Sequence, residues 1–161
     1  LEDFEADGWT PMTYTESRTE FSFYALWASP LVFATDPRNM SEAKRSILMN
    51  TELIDVNQDA LFAGGDRLFN STDGTQVWSK PLANGDVAVV LYNRGTDADG
   101  NPTQGSKDIS VTWQELWEDT TDADEYTVTL RDLWEHEEVP PSEPATGHTA
   151  PVAPKDVVVL R

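Results

Sequence analysis

The chain has 161 residues, 39% hydrophobic and 10% aromatic, enough for one domain of ordinary size or parts of two. Its 29 acidic against 11 basic side chains give a net charge of -18, a surface that repels phosphate backbones and anionic lipid head groups, so neither nucleic acid nor a membrane surface is an expected partner. No apolar run approaches the roughly 20 residues that span a bilayer, and the absence of cysteine excludes disulfides, thiol nucleophiles and cysteine-metal sites.

The chain begins at Leu1 with neither an initiator methionine nor a basic, apolar leader, the pattern expected of a processed product or a piece of a longer protein. Thr13 and Glu16 have the spacing of a capping box and predict a helix start. Phe21, Tyr24, Ala25 and Ala28 then recur at helical spacing, and Phe23, Leu26 and Trp27 widen the apolar surface almost all round. This helix is expected to be buried on more than one side and to end at Pro30. Leu31, Val32, Phe33 and Ala34 lie between Pro30 and Pro37, too few for a helix and without polar alternation. They predict a continuous apolar strand, as found in parallel sheets covered on both faces. Ser41 is a candidate N-cap for a helix running to about Asn50, with Glu42 placed to favour its N-terminal dipole. Helix, buried strand, helix is a piece of an α/β layer, whose other strands are expected upstream of Leu1.

Beyond Gly64 the pattern changes to short strands and turns. Residues 67–70 and 75–80 flank Asp73-Gly74, and Asn84-Gly85 precedes an apolar run over residues 86–92, a hairpin signal because both turn residues tolerate positive φ. Further strands are predicted at 108–112, 126–130 and 156–160, with a helical turn at 113–117. The polar stretches 95–107 and 140–154 read as exposed loops. This half is expected to be an antiparallel β-sandwich, which divides the chain into residues 1–63 and 64–161.

Candidate chemistry is sparse. There is no G-x-S-x-G nucleophile elbow and no Gly-rich phosphate loop. His136 and His148 lack zinc-motif spacing and read as surface residues. Asp97-Ala-Asp99-Gly-Asn101, with Asp108 further on, has some features of a calcium loop, but its glycine is misplaced and Pro102 takes the usual glycine slot, so an acidic turn is the better account. Glycosidases use paired carboxylates, yet 29 acids make pairs everywhere and identify none. Trp78, Trp113, Trp117 and Trp134 suit sugar stacking or, more often in a sandwich, the core. Asn39-Met40-Ser41 and Asn70-Ser71-Thr72 are glycosylation sequons if the chain enters a secretory pathway. From the residues alone no catalytic residue, metal ligand or cofactor is assigned and the substrate-binding residues stay unknown.

The motifs ESRTEFSFYALWASPLVFATDPRNMS, ELIDVNQD, VWSKPL, VAVVLYNR, RDLWEHE and APKDVVVLR, in this order, resemble the C-terminal part of the α-galactosidase (melibiase) enzymes of glycoside hydrolase family 27. The resemblance runs from Thr13 to Arg161 and implies the last part of a (β/α)8 TIM barrel followed by a C-terminal antiparallel β-sandwich. Asp36, Pro37, Arg38, Asn39, Met40 and Ser41 would then close the eighth barrel strand and open the last barrel helix. It also implies a retaining hydrolase of terminal α-galactosyl, or related α-N-acetylgalactosaminyl or arabinopyranosyl, residues, secreted or lysosome-like and without cofactor. Its two aspartates belong to barrel strands before this segment. No position here matches either, so this chain alone is expected to be inactive, the α-galactoside being bound by the missing half. Asp36 and Arg38 fall at the active-site-facing end of the strand, where capping and loop pairing are their expected roles. The sequence departs from the family at residues 1–8, at Pro37 and at Ala60, and the altered loop at residues 1–8 puts its substrate contacts in doubt. The isolated chain is expected to fold only in its sandwich, leaving Phe21, Phe23, Leu26, Trp27 and the apolar run without partners. The competing expectation is a non-catalytic carbohydrate-binding or adhesion module; a third is a structural domain kept soluble by its acidity.

Overall fold

The computed structural model describes residues 12–34, 36–117, 128–140 and 146–161. Helix α1 (Tyr14–Leu26) starts as expected: the Thr13 hydroxyl accepts from the Glu16 amide at 3.2 Å, and the Glu16 carboxylate accepts from the Thr13 amide at 2.9 Å. Lys155, 2.7 Å from Glu16, and the Thr13 bonds together hold the Glu16 carboxyl at about 2. Helix α2 (Glu42–Leu48) is capped by Ser41. A separate helix α3 (Thr51–Asn57) follows at once, capped by Asn50, whose Oδ1 accepts from the Leu53 amide at 3.1 Å.

The strand predicted at Leu31 to Ala34 is not formed. These residues enter no ladder, and Val32 is 88% and Phe33 56% exposed. A strand's amides and carbonyls are satisfied only by neighbouring strands, and among the described residues none pairs with this run.

The second half supplies β1 (Asp66–Asn70), β2 (Thr75–Pro81), β3 (Val87–Asn93), β4 (Lys107–Thr112), the short helix α4 (Trp113–Leu116), β5 (Leu130–Asp132), β6 (Glu137–Val139), β7 (Gly147–Val152) and β8 (Asp156–Leu160). They form a six-stranded sheet ordered β1-β2-β3-β8-β5-β6 and a two-stranded sheet β4-β7, antiparallel throughout. β7 corrects the exposed-loop reading of residues 140–154: His148, Ala150 and Val152 point inward in alternation, and Pro151 faces out opposite Asp108. A proline fits there because β7 has a ladder partner on one side only among the described residues. Of the strand predicted at 126–130, only Leu130 lies in a strand, at the start of β5, and residues 126 and 127 lie outside the described ones. β6 carries no apolar pattern and was not expected.

The alternating side chains of β3 make two cores. Ala88 and Val90, with Val157 and Val159 of β8, pack against Phe21, Phe23 and Leu26 of α1 and Leu53 and Val56 of α3. Val89 and Leu91, with Leu160, pack against Ile109, Val111, Ala150 and Val152 of the small sheet. Phe21, Phe23 and Leu26 therefore have partners within this chain, contrary to expectation, as does Leu31, whereas Val32 and Phe33 stay open and Trp27, 47% exposed, keeps an open face while touching Phe23 and Trp78. A helix satisfies its own backbone, so its apolar side can be covered by whatever surface lies next to it, here a sheet.

Two features fasten the layers. The Gly65 amide donates to the Leu26 carbonyl at 2.9 Å, and a Cβ at Gly65 would lie 2.5 Å from Leu26 Cγ and 2.9 Å from the Ser79 carbonyl oxygen. Lys80 of β2 is fully buried, and its ammonium donates to the carbonyls of Ala25 (3.3 Å) and Val56 (2.5 Å), near the C-terminal ends of α1 and α3. Those ends carry the negative pole of each helix dipole, while burial pushes the Lys80 pKa down.

Candidate functional site

The segment singled out by sequence, residues 30–40, leaves α1 after Ala28, which takes a positive φ of 50°. Asn57 fixes that exit by donating to the carbonyls of Tyr24 and Ser29 at 2.8 and 2.9 Å. Asp36 and Arg38 form a two-pronged ion pair, with Nε and Nη2 of Arg38 at 2.9 and 2.8 Å, and the Arg38 amide donates to the same carboxylate at 3.0 Å. The arginine holds the Asp36 carboxyl below the usual carboxylate range. An acid kept ionised in this way is unsuited to donating a proton; the pair shapes the loop, as expected.

The other candidates separate clearly. Asp97 accepts from the amides of Asp99 (3.0 Å) and Asn101 (2.8 Å) and from the Asn101 side chain (2.9 Å), inside a turn closed by a Thr96–Pro102 bridge. Asp108 lies in the β4 ladder. This is an acidic turn that uses its own carboxylate, and among the described residues no group of three or more acids or histidines is placed to hold a metal ion. His136 is exposed, at a positive φ of 59°. His148 is not a surface residue: it is 8% exposed, and burial lowers its pKa although Asp132 opposes the shift. Trp78 and Trp134 serve the core. Trp78 meets Phe23 and Trp27 edge-on at 5.4 and 5.6 Å, and Trp134 donates to the Ser22 hydroxyl at 3.0 Å beneath the Arg18 guanidinium.

A polar hub escaped the sequence reading. Glu52 of α3 receives Arg131 through two bonds of 2.6 and 2.8 Å and His136 Nδ1 at 2.7 Å. These contacts, Arg131 foremost, hold the Glu52 carboxyl at about 2. The partners lie 79 and 84 positions from Glu52, so no local spacing could reveal them. Beside the hub, Arg161 pairs with Asp86 at 2.8 Å, and Arg131 and Arg161 exchange backbone hydrogen bonds at 2.9 and 3.0 Å.

Comparison with known proteins gives a consistent picture. Residues 72–161 match the family model of the "Alpha galactosidase C-terminal beta sandwich domain", and residues 8–59 match that of "Alpha galactosidase A". The chain is 38% identical over 146 residues to an alpha-galactosidase of Oryza sativa, covering 90% of this chain and 31% of that protein. It is 41% identical over 87 residues to alpha-galactosidase A of Cellvibrio japonicus, covering 54% of this chain and 21% of that one. In structure it resembles alpha-galactosidase I from Mortierella vinacea, with a TM-score of 0.78 at 27% identity, over 92% of this chain and 35% of that chain. The Saccharomyces cerevisiae enzyme crystallised with raffinose shares the fold, with a TM-score of 0.70 at 19% identity, over 96% of this chain and 45% of that one. The chain thus spans about a third of the length of the rice relative.

Proposed function

Since the chain belongs to the α-galactosidase (melibiase) family, glycoside hydrolase family 27, as a C-terminal part, we propose that the protein containing it hydrolyses terminal α-galactosyl residues of oligosaccharides or glycoconjugates, with retention at the anomeric carbon. The observation that carries this reading is the succession of the two family segments, residues 8–59 and then 72–161, whose described parts share one hydrophobic core. Retention requires a nucleophilic carboxylate and an acid/base carboxyl about 5–5.5 Å apart. Asp36, held ionised by Arg38, is unsuited to the acid/base role. On the pattern that the family resemblance implies, both carboxylates are assigned to barrel strands preceding this segment. Residues 31–41 then complete the barrel wall, and the sandwich supports it from behind through α1 and α3. A secreted or lysosome-like location goes with this reading; the exposed sequon residues Asn39 and Asn70 support it.

The test compares the longer encoded protein with the 161-residue chain on p-nitrophenyl α-galactoside. The longer protein is expected to release galactose with the α anomer appearing first by proton NMR, and the 161-residue chain to release none. Hydrolysis by the short chain would refute the assignment of the carboxylates. Inactivity of the longer protein on every α-galactoside would instead favour a non-catalytic sugar-binding module.

A further inference from the structure

A cavity of about 360 Å³ lies beside α4, floored by residues of the core between the two sheets, with Glu52 of α3 at its rim. Its floor is apolar, formed by Val89, Val111 and Leu160. One wall is formed by Trp113 and Trp117, half-buried, with ring centroids 6.4 Å apart and planes inclined at 52°. The rim is polar: the Glu52–Arg131 and Asp86–Arg161 pairs, with Glu138 opposite Arg131 across the β5–β6 ladder. Trp78 and Trp134 pack in the other core, while Trp113 and Trp117 line this cavity.

We propose that this cavity binds one neutral sugar unit. Three features select the ligand. The indoles offer broad apolar faces, which suit the C–H face of a pyranose. The rim offers both donors and acceptors, because each guanidinium has five N–H groups and each carboxylate about four lone-pair positions, of which the ion pairs occupy only some. Hydroxyls, which donate and accept at once, match such a rim. The charge balance rejects the alternatives: three carboxylates face two guanidiniums in a chain of net charge -18, which disfavours anions. A wholly apolar ligand would strip water from the ion pairs without replacing it. The volume lies at the lower end of the roughly 300–1,000 Å³ usual for small-ligand pockets.

The site stands whether or not the longer protein hydrolyses galactosides, and the short chain tests it directly. Tryptophan emission of the 161-residue chain is titrated with methyl α-galactoside, methyl α-glucoside and methyl α-mannoside, and with tetramethylammonium as a cationic probe. A saturable response to at least one sugar is expected, weakened roughly 3- to 10-fold by Trp117→Ala and also weakened by Glu138→Gln, whose side chain is exposed and whose loss leaves the fold intact. Thermal melts of both variants show that they fold. Trp78→Phe, in the other core, leaves the affinity unchanged. The proposal is overturned if no sugar saturates, if tetramethylammonium alone does, or if the affinity survives both Trp117→Ala and Glu138→Gln.

Discussion

Helix α1 and the run Leu31 to Ala34 are neighbours in sequence and expected to belong to one barrel, yet they end differently. The helix buries Phe21, Phe23 and Leu26 against a sheet from the other half of the chain, while Val32 and Phe33 lie open to water. The run is the more apolar of the two and yet the more exposed, so apolar content does not decide the outcome; backbone hydrogen bonding does. A helix closes its own bonds and can dock on any apolar surface, whereas a strand buried on both faces needs strands on both edges before its side chains can be covered.

The largest test of this contrast is Leu26→Ala. Leu26 is 1% exposed, and its truncation is expected to cost about 2–5 kcal/mol in urea denaturation of the 161-residue chain. Next comes Gly65→Ala, which drives a methyl into Leu26 and the Ser79 carbonyl and is expected to cost about 1–3 kcal/mol by loosening α1 from β2. A change in the melting of the sheet with no loss of α1 protection in hydrogen exchange would show that the helix is held elsewhere.

Electrostatics gives a smaller effect. Glu52 sits at about 2 in the fold against an ordinary 4.5, so over that interval the unfolded chain binds more protons than the native one. The stabilisation is complete above about 4.5 and disappears as pH falls toward 2. Glu52→Gln should therefore remove about 1–2 kcal/mol at neutral pH, allowing for solvent screening of the half-exposed Arg131, and flatten the acid limb of the stability profile. An unchanged acid limb would mean that the hub does not tie α3 to β5. The smallest effect is expected for Val32→Ser, within about 0.5 kcal/mol because the side chain is already 88% exposed. A cost comparable to that of Leu26→Ala would break the comparison and place Val32 in a packed core.

What the sequence made legible follows the same division. The Thr13 and Ser41 caps, the Asn84-Gly85 hairpin and β8 are signalled by residues within a few positions of one another, and each is found where expected. β7 was hidden because Pro151 breaks its pattern and His148 reads as polar although it is buried. The boundary between α2 and α3 was hidden because Met49 closes one helix and Asn50 at once caps the next, without glycine or proline. The Asp36–Arg38 pair was legible as loop chemistry because its partners are two positions apart. The Glu52 hub is assembled by the fold from distant residues and leaves no local trace, whereas Trp113 and Trp117 were legible as stacking or core residues and only the rest of their cavity is supplied by the fold.

Lys80 sets a limit on how this architecture can be divided. A β-sandwich cut out at the compositional boundary near residue 64 and moved to another host as a cassette would expose an ammonium whose acceptors, the carbonyls of Ala25 and Val56, had stayed behind. The helices, in turn, would lose the cation that caps them both. For recombination between relatives, the smallest exchangeable unit therefore begins at the capping box of α1, and a chimera joined downstream of α3 is expected to be soluble only if its new neighbour presents two helix ends to the same lysine.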